Sequence, residues 1–180
     1  MSWKKEISQI KLREKLAKQQ GGSEAVKVQH DKGRLTLRER IDLLLDKDSF
    51  DEIGKVSGGA EYDDEGNLLS LTPANFILGF GKIEGQDVIV GGEDFTVKGG
   101  SPNAAGLRKS IYTEDLAVKH KFPLVRLHEG GGGSVAGPSK EKKGYGGDPV
   151  FARSRFKSVA QTLKEVPVVS AALGPVAGLP

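Results

Sequence analysis

Two glycine-rich turns, each closing an apolar strand-like run, hold the residues of this chain best suited to chemistry. The first is Leu124-Val125-Arg126-Leu127-His128-Glu129 running into Gly130-Gly131-Gly132-Gly133. The second is Val166-Pro167-Val168-Val169-Ser170-Ala171-Ala172-Leu173 running into Gly174-Pro175-Val176-Ala177-Gly178. Glycine lets a backbone approach a ligand closely and take positive φ without steric cost. Two strand–turn units on neighbouring parallel strands can aim main-chain N–H groups at one point. An oxyanion site is built from main chain alone in this way.

Other glycine chemistries fit less well. A P-loop needs Lys after its last glycine, but Gly106 is followed by Leu107. Gly131-x-Gly133-x-x-x-Gly137 loosely mimics a dinucleotide turn, yet the next strand ends in Ala172-Leu173-Gly174 with no acid for a ribose. Gly132-Gly133-Ser134-Val135-Ala136 lacks the last glycine of a nucleophile elbow. Four glycines in a row also describe a linker; the strand before them speaks for a functional loop. The histidines His30, His120 and His128 are not at metal-ligand spacing. His120 falls on a helix, where a structural role is expected. His128-Glu129 is the acid/base candidate beside the first turn.

The elements that must position these turns follow from periodicity. Residues 3–20 read as an amphipathic helix with Trp3, Ile7 and Ile10 on one face and Leu12 and Leu16 beside it, stopped by Gly21-Gly22. His30-Asp31-Lys32-Gly33 reads as a turn. Thr36-Leu37-Arg38-Glu39 is a capping box opening a helix with Leu37, Ile41, Leu44 and Leu45 on one face. Phe50 and Ile53 are expected to pack back onto the core. Residues 57–72 read as a polar surface loop. Residues 75–83 and 87–91 read as a hairpin, followed by a short extended segment at 94–97. Ser101 and Pro102 suggest the start of a helix that runs to about His120. Residues 138–147 read as a mobile loop, and Asp148-Pro149 as the start of a helix with Phe151, Phe156, Val159 and Leu163 as its stripe. Helix, strand, helix, strand from residue 101 onward predicts right-handed crossovers and a parallel sheet.

The chain has 180 residues, long enough for one domain with a sizeable core. It contains 25 glycines and no cysteine, which excludes disulfides, a thiolate nucleophile and Cys-based zinc sites. A net charge of +3 without aromatic residues interleaved among the cations argues against a base-stacking platform. It suits a phosphate-bearing cofactor equally well. No run approaches the length needed to span a bilayer, and no secretory h-region opens the chain. The cytoplasm is the expected compartment, with the mitochondrial matrix as the alternative. The chain stops at Leu179-Pro180, inside a turn that should open a helix, so a cut molecule is expected, with an open sheet edge prone to aggregation or reliant on a partner.

Four stretches carry a family resemblance. They are Gly33 to Ile41 with Leu44-Leu45-Asp46 and Ser49-Phe50; Asp94 to Val97 with Gly99-Gly100-Ser101; Leu127 to Gly133; and Gly174 to Gly178. In that order the chain resembles the carboxyltransferase (β) subunit of biotin-dependent acyl-CoA carboxylases, the propionyl-, acetyl- and methylcrotonyl-CoA group. It departs from the family pattern at Gly133, Ser134 and Leu179. The resemblance implies an α/β, crotonase-like fold. A helical segment (1–54) would precede the first part of an acyl-CoA-binding carboxyltransferase domain (55–180), incomplete at its C-terminus.

The resemblance further implies transfer of a carboxyl group from carboxybiotin to the α-carbon of an acyl-CoA through an oxyanion-stabilised enolate. The catalytic groups would be the main chain of Gly131, Gly132, Ala177 and Gly178. Gly133, Lys98, Arg108 and Lys109 would lie on the cofactor-binding side, with Lys109 either touching CoA or pairing on a helix surface. Biotin would arrive on a partner biotin carboxylase or carrier subunit, and the subunit would form homo-oligomers. A related crotonase-like decarboxylase or hydratase, and a non-catalytic fragment that binds partner subunits, are the alternatives. The isolated chain is expected to be inactive.

Overall fold

The computed structural model describes residues 2–101, 103–132 and 155–177, with side chains described from residue 157 onward in the last stretch. Helix α1 (Lys4–Ala17) buries only Ala17, and its expected apolar face stays in solvent, with Trp3 68% and Ile7 49% exposed. Helix α2 (Ser23–Asp31) was not expected. Its only buried residue is Gln29, so no apolar period announces it. The His30-Asp31 pair closes this helix instead of forming a turn. Helix α3 (Leu37–Leu44) begins at Thr36 with both halves of the capping box formed. The Thr36 N–H donates to Glu39 Oε2 at 2.7 Å.

The main sheet has the order β1-β4-β5-β6-β7, from strands Asp51–Ile53, Phe76–Ile83, Gln86–Glu93, Leu124–Gly130 and Val168–Val176. Strands β1, β4 and β5 are antiparallel neighbours, whereas β5, β6 and β7 run parallel, as the helix–strand alternation requires. The β4–β5 hairpin turns through Glu84 and Gly85, both at positive φ. The Asp46 carboxylate accepts their two N–H groups at 2.9 and 2.8 Å. Residues 57–72 are not a loop. They hold a second ribbon, β2 (Gly58–Tyr62) with β3 (Leu68–Pro73), none of whose residues is fully buried.

Helix α4 (Ala104–His120) starts two residues later than Ser101 and Pro102 suggested, because the Asn103 side chain caps it by accepting from the Gly106 N–H at 2.7 Å. Residues 94–97 form a turn, not an extended segment. Helix α5 (Arg155–Glu165) packs beside α4. Its buried side is carried by Ser158 and Thr162, while Leu163 of the expected stripe is 61% exposed. Phe151 and the Asp148-Pro149 start lie outside the described residues, as does the Phe156 side chain.

Two cores flank the sheet. Leu37, Ile41 and Leu45 of the α3 region pack on Ile77, Val88, Val90, Val125 and Leu127, with Phe50 alongside. On the other face Leu116 and Ala117 of α4 pack on Phe76, Leu78, Ile89 and Leu124, with Ile53 alongside. His120 sits edge-on to Phe80 at 5.1 Å, the structural role expected of it. Strand β7 forms an edge and leaves Val169 61% exposed. Among the described residues no helix is long and apolar enough to cross a membrane.

Candidate active site

Strands β6 and β7 pair in register from Leu124↔Val168 to His128↔Ala172, then slip, so that Gly130 faces Val176. The slip gives β7 the longer path and lays Gly174 over Glu129, where a Cβ on Gly174 would meet the Glu129 carboxylate oxygen at 2.3 Å. Beyond the slip the two turns touch. The Ala177 N–H donates to the Gly130 carbonyl at 3.0 Å. Gly132, at φ +81°, has no room for a side chain, since its Cβ would stand 2.8 Å from the Ala177 carbonyl oxygen.

A third glycine segment joins them. Lys98, Gly99 and Gly100 are consecutive residues at positive φ. The Gly131 N–H donates to the Gly99 carbonyl at 2.9 Å, and a Cβ on Gly100 would lie 2.5 Å from the Glu129 carbonyl oxygen. Buried Asn75 fastens this segment from below: its amide donates to the Gly100 and Ser101 carbonyls at 3.0 and 2.8 Å, and its oxygen accepts from the Asn103 N–H at 3.3 Å. Sequence reasoning missed Asn75, because nothing local distinguishes it from a strand-edge residue.

The expected glycine turns are therefore brought together, with a different division of labour among their amides. The N–H groups of Gly131 and Ala177 are engaged in fastening one turn to the next. Gly132 remains the described candidate for an oxyanion donor. Gly133 and Gly178 lie outside the described residues. Of the expected cations, Lys98 is exposed beside Gly99 and Arg108 is exposed on α4. Lys109 is buried instead of lying on a helix surface, and its ammonium donates to the Gly54 carbonyl at 3.2 Å. Burial pushes it down to about 8, with Arg38 adding to the effect and Glu52 opposing it.

The expected acid/base pair is also engaged. His128 Nδ1 lies 3.2 Å from Glu93, which sits beside the buried Arg126 guanidinium. Glu129, 1% exposed, points to the other face of β6, where Gln29 donates to both carboxylate oxygens at 3.0 Å. Arg40 pairs with it at 2.5 Å and Arg34 at 3.4 Å. Nearby, burial pushes the Asp94 carboxyl up, against two hydrogen bonds from Thr96 and the charge of Arg38.

The mixed sheet brings its two strand-end turns together, and comparison with known proteins assigns the family. Residues 28–179 match the carboxyl transferase domain family. The chain belongs to that family. It is 33% identical over 174 residues to the propionyl-CoA carboxylase beta chain of Roseobacter denitrificans, covering 96% of this chain and 32% of that protein. It is 32% identical over 169 residues to the methylmalonyl-CoA decarboxylase subunit alpha of Veillonella parvula, again covering 93% of this chain and 32% of the relative. The crystal structure of transcarboxylase 12S with methylmalonyl-coenzyme A and methylmalonic acid bound superposes with a TM-score of 0.63 at 28% identity, over 75% of this chain and 26% of that one. The chain thus spans about a third of the length of the curated relatives it matches.

Proposed function

We propose that this chain supplies the acyl-CoA carbonyl site of a biotin-dependent acyl-CoA carboxylase, in which a carboxyl group moves from carboxybiotin to the α-carbon of an acyl-CoA. The observation that carries the reading is the seating of Gly132 directly against Ala177, which draws the two strand-end turns to one point. A thioester oxygen placed there gains main-chain donors as negative charge builds on it during enolate formation. The Gly132 amide, and Gly178 from the second turn, are the proposed donors; Gly131 and Ala177 hold the frame.

The residues fit a reaction whose proton acceptor comes with the reagent. His128 is turned onto Glu93 and Glu129 is sealed below the turns, so neither presents a base to a substrate at the convergence. Carboxybiotin, if brought by a partner biotin carboxylase or carrier subunit, would supply both the carboxyl group, released as CO₂, and, in the ureido nitrogen so freed, the acceptor for the α-proton. Lys98 and Arg108 are the cations proposed to meet CoA phosphates. Gly133 is proposed on the cofactor-binding side. Assembly with further copies of the subunit in the cytoplasm completes this reading.

The likeness to the methylmalonyl-CoA decarboxylase subunit favours one second reading, the same site used to remove a carboxyl group from an acyl-CoA. The full-length enzyme with its biotinyl partner distinguishes the two by the direction in which labelled carboxyl moves. Gly132→Ala forces a Cβ into the Ala177 carbonyl at a left-handed position, and turnover is expected to fall about 10²–10³-fold, with acyl-CoA still bound. Unchanged turnover would remove the site from the mechanism in either direction.

A further inference from the structure

We infer that Glu129 is a positioning residue for the carbonyl-oxygen site and that Gln29, Arg34 and Arg40 extend that role to the N-terminal helices; this rests on the carboxyltransferase reading above. Glu129 touches all three glycine segments. It immediately precedes Gly130, its carbonyl oxygen lies against Gly100, and its carboxylate fills the space left by the missing side chain of Gly174. Any tilt of this one residue moves the first turn directly and the other two by contact.

The carboxylate is held from outside the sheet. Gln29 comes from α2, Arg34 from the α2–α3 link and Arg40 from α3. The Arg40 guanidinium also donates to the Leu173 carbonyl at 3.4 Å, so a single side chain ties the ends of β6 and β7 together where their register slips. A buried ion cluster is a weak device for stability alone, since apolar residues of similar volume often serve as well. What the cluster supplies is direction: a guanidinium on each carboxylate oxygen, with the Gln29 amide donating to both, fixes the carboxylate in a way that apolar packing does not. Donors at an oxyanion site require that fixity, because displacement by about 1 Å can cost about a hundredfold in rate.

The experiment compares Arg40→Met and Arg40→Lys in the full-length carboxyltransferase with its biotinyl partner, by amide hydrogen exchange and steady-state kinetics. In Arg40→Met the Gly131 and Ala177 amides should exchange about tenfold faster while Ile89 and Val90 in the sheet core keep their protection. Turnover should fall about a hundredfold with KM for acyl-CoA nearly unchanged, and Arg40→Lys should restore most of both. Unchanged exchange at the two turn amides overturns the proposal. So does faster exchange spread equally over Ile89 and Val90 without rescue by Lys, which marks a purely structural role. The exchange readout does not depend on turnover, so a wild-type enzyme that moves no carboxyl group would end the functional reading and leave the arrangement of the turns measurable.

Discussion

The two faces of β6 solve the same problem with opposite charge. On the α4 face the buried group is a cation: Arg126, 4% exposed, lies near Glu93 and Glu114 at 3.5 and 3.3 Å and over the Phe76 ring. On the α3 face the buried group is an anion, Glu129, met by Arg34 and Arg40. The partners differ in their access to water. The side chains of Glu93 and Glu114 are 8% and 4% exposed, whereas Arg34 is 33% exposed. Loss of the central charge therefore takes the shared guanidinium from two buried acids on one face, but leaves at least one partly solvated cation on the other. The first face is built to be rigid. The second can be adjusted without breaking the fold, and it is the one that bears on the turns.

Arg126→Met puts the contrast to its hardest test and should cost about 3–5 kcal/mol in chemical denaturation, because two buried carboxylates lose the guanidinium they share. A loss below that of Arg34→Met would reverse the comparison. Lys109 gives the next largest effect, on the α4 side. Its folded pKa of about 8 lies below the unfolded 10.5, so between these values the unfolded chain binds more protons and stability rises with pH. The rise should approach about 3 kcal/mol from this residue. It should be missing in Lys109→Met, measured as the difference between the two stability–pH curves. Thr36→Ala removes the cap of α3 and should cost about 1 kcal/mol, read from the thermal transition. Arg34→Met should cost less than about 1 kcal/mol, since its guanidinium is partly screened by water.

The parts of the molecule legible in its sequence are those set by local chemistry. The Thr36–Glu39 box and the β4–β5 hairpin depend on neighbours a few residues apart, and the parallel order after residue 101 follows from the alternation of helix and strand. The turn at Gly130–Gly132 was legible because β6 ends in glycine there, whereas β7 runs on through Gly174 and Pro175 to Val176 instead of turning at Gly174 as expected. Helix α2 was hidden because the residue it buries is Gln29, chosen for a partner 100 residues away. The β2–β3 ribbon was hidden because Gly58-Gly59-Ala60 carries no alternation to read and the leucines of β3 are adjacent at Leu68-Leu69. The sequence reading saw Glu129 as half of a His-Glu pair. Alternation along a strand sends adjacent side chains to opposite faces, which could have separated them. Which amide of each turn is already taken by its neighbour was not legible, because a main-chain hydrogen bond leaves no mark on residue type.

The span of the Glu129 contacts has a consequence for how the chain folds. The β4–β5 hairpin closes through a two-residue turn, whereas Glu129 meets Gln29 across 100 positions of sequence. Contacts so distant must wait for the entropy of a long loop to be offset by collapse elsewhere. The glycine turns are then among the last parts to take shape, after the sheet that carries them. Pulse-labelled exchange during refolding should find Ile89 and Val90 protected before Gly131, and a Gly131 amide protected first would refute that order.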